Sequence, residues 1–120
     1  MDRGQRATVA FLCGCLYNKS GRRYTNVYDY SDRAFVACNY VNNGGSISVY
    51  DYRRGCYLTG SMPSFFDYGV SQYISINRVG DNMFNVYDYH SNKYVSVTCN
   101  GQSIALFDYS VGQYFSYSIN

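Results

Sequence analysis

The most regular chemistry in this chain is carried by five aspartates. Asp29, Asp51, Asp67, Asp88 and Asp108 each stand between an aromatic residue and a tyrosine, and each is followed six positions later by another aromatic. The segments are Val27-Tyr28-Asp29-Tyr30 to Phe35, Val49-Tyr50-Asp51-Tyr52 to Tyr57, Phe65-Phe66-Asp67-Tyr68 to Tyr73, Val86-Tyr87-Asp88-Tyr89 to Tyr94, and Leu106-Phe107-Asp108-Tyr109 to Tyr114. Successive aspartates lie 22, 16, 21 and 20 residues apart, so the unit is kept while its connections vary. Five carboxylates at one rim could form a ring of hard oxygen ligands for a cation. Alternatively, each caps its own turn by accepting backbone N–H bonds. Every turn needs a cap independently, so repetition at a fixed turn position favours capping, and no metal ligand set is assigned.

The second feature is phenolic. There are 16 Tyr, 7 Phe and no Trp. A tyrosine offers a flat apolar body with a polar tip, suited to stacking on sugars or bases. The candidate binding residues are Tyr30, Tyr52, Tyr68, Tyr89 and Tyr109, with Arg53 and Arg54. The alternative role for the tyrosines is cross-strand packing that stiffens thin hairpins. Basic residues fall in turns: Arg33, Arg53, Arg54 and Lys93 at the Asp-Tyr end, and Lys19, Arg22, Arg23 and Arg78 at the other. Guanidinium groups around an axial pocket would hold a phosphate-bearing ligand by forked hydrogen bonds, although the neighbouring aspartates partly cancel that field. The single histidine, His90, has no local partner to make it a general base. Neither a Gly-rich phosphate loop, a zinc motif nor a nucleophile elbow occurs. No catalytic residue and no cofactor is assigned.

The cysteines are Cys13, Cys15, Cys38, Cys56 and Cys99. Their odd number and irregular spacing argue against a disulfide framework and for reduced thiols in a reducing, cytoplasmic compartment. Cys13 and Cys15 make half of a metal site with nothing to complete it. The rival localisation is a lipid-anchored one. Arg3 and Arg6 precede an apolar run, and Leu12-Cys13-Gly14-Cys15 resembles a lipoprotein cleavage box with Cys15 as the lipidated residue, on an apolar stretch shorter than usual.

At 120 residues the chain is expected to form one domain, 1–120. Ten basic against eight acidic residues give a net charge of +2, too weak a bias to indicate nucleic acid. The aromatic content excludes disorder, and no apolar run is long enough for a membrane-spanning helix. Abundant Gly, Ser, Asn and Tyr argue against a helical domain.

Each aspartate unit reads as a β-hairpin closed by a four-residue loop. Turn clusters between units are Asn42-Asn43-Gly44-Gly45, Gly60-Ser61-Met62-Pro63, Gly80-Asp81-Asn82 and Asn100-Gly101. The expected fold is all-β: an up-and-down antiparallel meander of about ten short strands, with all five Asp-Tyr turns at one end. Its repeats fall near 26–39, 47–60, 64–77, 84–99 and 104–119, with a degenerate turn over 16–25, where Leu16-Tyr17-Asn18 precedes Tyr24. Pairing Tyr30 with Phe35 across the loop sorts the side chains cleanly. One face collects Val27, Val36, Cys38, Ile47, Val49, Leu58, Ile74, Ile76, Val86, Val95, Val97, Cys99, Ile104, Leu106, Phe115 and Ile119, and the other collects the tyrosines and serines. A one-residue slip would mix the sets. The aliphatic face must be the core, and near-identical hairpins favour a closed barrel without edges over a sandwich. Thr8–Tyr17 is nearly continuously apolar and is read as a strand buried on both faces, either closing the barrel or running through its lumen.

Over about Asn26–Asn120, hairpins written apolar-Tyr-Asp, short loop, aromatic, then alternating apolar residues resemble the β-flower proteins. The resemblance implies short hairpins radiating as petals around a shallow, pseudo-symmetric barrel, and little chemistry. The usual petal turn carries Asp-x-x-Gly; here Gly55 and Gly112 occupy later turn positions. The functional expectation is a small non-enzymatic binding or interaction module. Rivals are a protein sequestering a small, phosphate-bearing molecule in an axial pocket of Tyr and Arg, a Tyr-based carbohydrate-binding lectin, and a scaffold that blocks another protein. A small ligand, a glycan and a protein thus remain open as partners.

Overall fold

The computed structural model describes residues 1–18 and 21–120. One helix, α1 (Arg3–Tyr17), is followed by ten strands: β1 (Asn26–Asp29), β2 (Ala34–Asn43), β3 (Ser46–Asp51), β4 (Cys56–Ser61), β5 (Ser64–Asp67), β6 (Gln72–Arg78), β7 (Met83–Asp88), β8 (Lys93–Asn100), β9 (Ser103–Asp108) and β10 (Gln113–Ile119). Each strand pairs antiparallel with its sequence neighbours, and β1 pairs with β10 to close the barrel. The up-and-down, all-β meander expected from the repeats is therefore the fold, and no sheet edge is left exposed.

Along the strands inward and outward residues alternate, as in Ser46–Asp51 and Ser103–Asp108. Val49, Ile74 and Val95 are buried, with nearly all of the predicted aliphatic set; Phe115 is only half-buried. Phe65, Phe84 and Tyr117 join the same core. The hairpin register differs by one step from the expected one: Tyr28, not Tyr30, faces Phe35, and Asp29 faces Ala34. The equivalent pairs Tyr50–Tyr57, Phe66–Tyr73, Tyr87–Tyr94 and Phe107–Tyr114 recur in the other hairpins. Shifting by one residue on each strand leaves every side chain on its face, so the core assignment survives. The shift makes aspartate the last residue before the turn, pointing inward.

The N-terminal segment corrects the sequence reading. Thr8–Tyr17 is not a strand but part of α1, and it does not close the barrel; it runs inside it. The physical reason lies in the backbone. Around eight strands, side chains alone just fill a barrel, and ten strands enclose a wider lumen. A lone strand there would leave its N–H and C=O groups unpaired in an apolar core. A helix satisfies its own backbone and, at about 10–12 Å across, fills the space. Asp2 caps its start by accepting the Gln5 N–H at 2.7 Å. The segment Ala7–Cys15 is buried on every side, which explains why it carries no amphipathic stripe. A Cβ on Gly14 would stand 2.9 Å from Ile119 Cδ1, so glycine lets α1 lie against β9 and β10.

The described residues of 16–25 form no hairpin. Leu16 and Tyr17 end the helix, Asn18 caps it with its N–H on the Gly14 carbonyl, and buried Tyr24 leads into β1. Lys19 and Ser20, including the basic position assigned to Lys19, lie outside the described residues.

Two outcomes test this architecture by chemical denaturation. Replacing lumenal Phe11 by alanine is expected to cost about 3–5 kcal/mol, while Phe35→Ala on the outer surface stays under about 1 kcal/mol. The fifth residue of every aspartate turn has a left-handed backbone: Arg33 (φ 52°), Gly55 (φ 67°), Ser71 (φ 54°), Asn92 (φ 58°) and Gly112 (φ 67°). Only two are glycine, so Ser71→Gly is expected to stabilise by about 0.5–1 kcal/mol.

Candidate functional site

The five aspartates converge on the start of α1. All five are fully buried, unlike the exposed tyrosines that follow them. In each turn one carboxylate oxygen accepts the backbone N–H two residues on: from Ser31 to Asp29 at 3.0 Å, Arg53 to Asp51 at 2.8 Å, Gly69 to Asp67 at 2.8 Å, His90 to Asp88 at 3.1 Å and Ser110 to Asp108 at 2.9 Å. Arg54 adds a second N–H to Asp51 at 3.0 Å. This is an Asx turn, in which a short acceptor mimics a backbone carbonyl.

Two of the carboxylates also bond to the helix. Thr8 donates its hydroxyl to Asp51 at 2.6 Å. Arg6 donates to Asp108 at 3.2 Å, with its guanidinium 3.9 Å above the ring of Phe115. The Met1 amino nitrogen lies 3.5 Å from Asp108 and 4.0 Å from Asp88. Arg54 reaches in from the β3–β4 turn to bind Asp67 at 2.8 Å. Its path crosses Gly69, where a Cβ would strike the guanidinium. Arg53 joins Asp32 at 2.8 Å and lies 3.9 Å from Asp29, and Arg3 joins the same Asp32 at 2.8 Å. The positive end of the helix dipole points at the same ring. Among the described residues no cluster of His, Cys, Asp or Glu has metal-holding geometry.

The ring's polar groups are not all matched. The Gln5 amide, Asp29 Oδ2, Asp67 Oδ2 and the Tyr117 hydroxyl are buried without a hydrogen-bond partner among the described residues. Burial, and then the charge of Asp29, push the Tyr117 phenol up. Burial also raises Asp108, but the Ser110 hydroxyl and N–H, the Met1 amino group and Arg6 outweigh it and hold that carboxyl below its usual range.

The tyrosines go elsewhere. Tyr30, Tyr52, Tyr68, Tyr89 and Tyr109 lie on the outer wall and are more than half exposed. Each belongs to a triad whose centre is the aromatic before the aspartate: Tyr28, Tyr50, Phe66, Tyr87 or Phe107. Every centre meets its two neighbours edge-on, with ring centroids 4.7–4.9 Å apart. The axis is occupied by α1 at this end, so the structure does not bring Tyr30, Tyr52, Tyr68, Tyr89 and Tyr109 together with Arg53 and Arg54 around an axial pocket. Between adjacent hairpins the triads instead wall open slots. One is lined by Asn85, Asn92, Lys93, Tyr94 and Tyr109, another by Ser64, Gln72, Tyr73 and Tyr89. Tyr73 and Tyr94, which the six-residue interval also marks, line these slots beside the candidate tyrosines. His90 is exposed in its turn and contributes only its backbone N–H to Asp88.

All five cysteines are free, and all but Cys56 are buried. Cys15 lies in α1 within the barrel, its thiol pushed up to about 12 by burial. Among the described residues no helix is long and apolar enough to cross a membrane.

These features define a class: a closed barrel of five aromatic hairpins, plugged by its own N-terminal helix and tied by buried aspartates. No family model, curated protein or solved structure matches the chain.

A carboxyl held below its unfolded value stabilises the fold fully above about pH 4 and ceases to do so as pH falls through its folded pKa. Asp108→Asn keeps an acceptor for Ser110 but removes the charge. Urea midpoints of the two proteins are therefore expected to differ at pH 7 and to converge in acid; a gap that does not narrow contradicts the ion-paired ring.

Proposed function

We propose that the protein is a non-enzymatic, multivalent binding module whose slots between hairpins take carbohydrate. The observation that carries this reading is the repeated pairing of exposed tyrosine walls with short amide and hydroxyl side chains. In the slot around Asn85, Tyr94 and Tyr109 stand beside Asn92 and Lys93, and the adjoining groove adds Ser75, Asn77, Tyr87 and Tyr89. A pyranose has the matching chemistry: axial C–H groups that stack on a flat ring and equatorial hydroxyls that bond to amides. Edge-on packing on the triad centres holds the outer rings in place, so little rotamer freedom is lost on binding. The low charge of the outer wall disfavours nucleic acid, whose binding rests on phosphate neutralisation.

We extend to this chain the β-flower likeness, on the strength of the five petal-like hairpins around the closed barrel. A reducing, cytoplasmic setting is supported by the five free thiols. Burial of Cys15 within the barrel weighs against its serving as a lipid anchor.

Glycan-array screening followed by NMR titration of the leading sugar tests the proposal. Several weak, equivalent sites are expected, with gains from multivalency. Tyr94→Ala together with Tyr109→Ala should weaken the slot between them about tenfold without unfolding the barrel. Silence across the array, with no sugar effect on the melting temperature, would overturn the reading.

A further inference from the structure

The end of the barrel opposite the aspartate ring holds a different kind of cavity. It measures about 230 Å³ and is lined by Cys15, Asn18, Arg22, Arg23, Tyr24 and Tyr40. The slots on the outer wall are shallow and nearly neutral, whereas this one is more enclosed and carries two guanidinium groups. Among the described residues neither Arg22 nor Arg23 has a carboxylate within 4.0 Å, in contrast to Arg3, Arg6, Arg53 and Arg54. Seven of the eight aspartates belong to the α1 start or the five hairpin turns, leaving Asp81 alone in the loops at this end. The net positive charge of the chain is thereby concentrated here.

Both arginines are positioned but not saturated. Arg22 stacks 5.3 Å above the Tyr24 ring and donates to Gln102 Oε1 at 3.4 Å. Arg23 donates to Asn39 Oδ1 at 2.6 Å. A guanidinium has five N–H donors, so most remain to be used. Nor does the end of α1 consume them: the Gly14 carbonyl is met by the backbone N–H of Asn18 at 3.0 Å and by its side-chain amide at 2.8 Å. Tyr24 is buried and Tyr40 half-buried, which gives the cavity aromatic walls beneath the charged rim.

We infer that this cavity binds a small organic oxyanion, a carboxylate or phosphate monoester on a flat apolar body, its charge held by Arg22 and Arg23 and its body set against Tyr24 and Tyr40. The volume is below the roughly 300–1,000 Å³ of pockets for drug-sized molecules, so the occupant is fragment-sized. Forked donors matched to planar or tetrahedral oxyanions are the recognised use of paired arginines. The site is independent of the carbohydrate slots and stands whether or not they bind sugar.

Isothermal titration with phenyl phosphate and with benzoate tests the inference, with inorganic phosphate as the probe lacking a body. Saturable one-to-one binding of either organic probe is expected, and which one binds more tightly distinguishes the phosphate from the carboxylate source. Arg22→Gln and Arg23→Gln should each weaken binding about tenfold or more, while Arg78→Gln, an equal loss of charge at the same end but outside the cavity, leaves it unchanged. All three replacements are of exposed residues, and an unaltered melting temperature verifies the fold. No binding of either organic probe, or equal losses in all three variants, overturns the site. Inorganic phosphate binding as tightly as phenyl phosphate overturns the role of the tyrosines.

Discussion

A closed ten-stranded barrel must fill its own middle, and the rest of this structure follows from that constraint. Aliphatic side chains from the strands cannot span the lumen alone. Arg3–Tyr17 supply the missing volume as α1, capped by Asp2 and buried from Ala7 to Cys15. The direction of insertion has an electrostatic logic. The helix begins among five buried carboxylates and ends beside Arg22, Arg23 and Arg78, so both ends of its dipole meet opposite charge. A reversed helix would put its negative end into the aspartate ring.

The aspartates do two jobs with two oxygens. One oxygen closes the local turn through the N–H two residues on. In two of the five the other oxygen addresses the plug, Asp51 with Thr8 and Asp108 with Arg6. A purely local cap would lie at the surface; here the aspartate stands on the inward face of its strand, and burial then demands a partner. Arg54 illustrates the consequence. It crosses from one hairpin to the next to satisfy Asp67, and only glycine at position 69 leaves it room. Turn chemistry and core assembly are thus coupled through the same side chain.

With the interior committed to packing, the proposed recognition would fall to the outside. Aliphatic residues face inward and the tyrosines of the aromatic triads outward, which is the reverse of a barrel that meets lipid on its outer wall. The aromatic triads stiffen each hairpin and leave slots between them. The two barrel ends differ as well: one is a compensated ion network sealed by the helix start, the other an electropositive cavity beside the helix end. Equatorial slots and an end cavity of different chemistry on one small chain would suit a module that reads two kinds of ligand.

Much of this was legible beforehand. The six-residue interval from aspartate to aromatic, repeated five times, determined the hairpins, their four-residue loops and which face of each strand is apolar. Strand alternation is a local property with a period of two, so one chain read in isolation suffices. The capping role of aspartate follows from turn position alone. The helix did not emerge from that reading, because a segment buried all round shows no periodicity that separates helix from strand; its one local mark, Asp2 three residues before Gln5, is a short capping signal. Nor was it visible that the carboxylates would be buried, that Arg54 would serve Asp67, or that Arg22 and Arg23 would share a cavity with Tyr24 and Tyr40. Those pairings join residues far apart in the chain, and only closure of the barrel around its plug decides which of them meet.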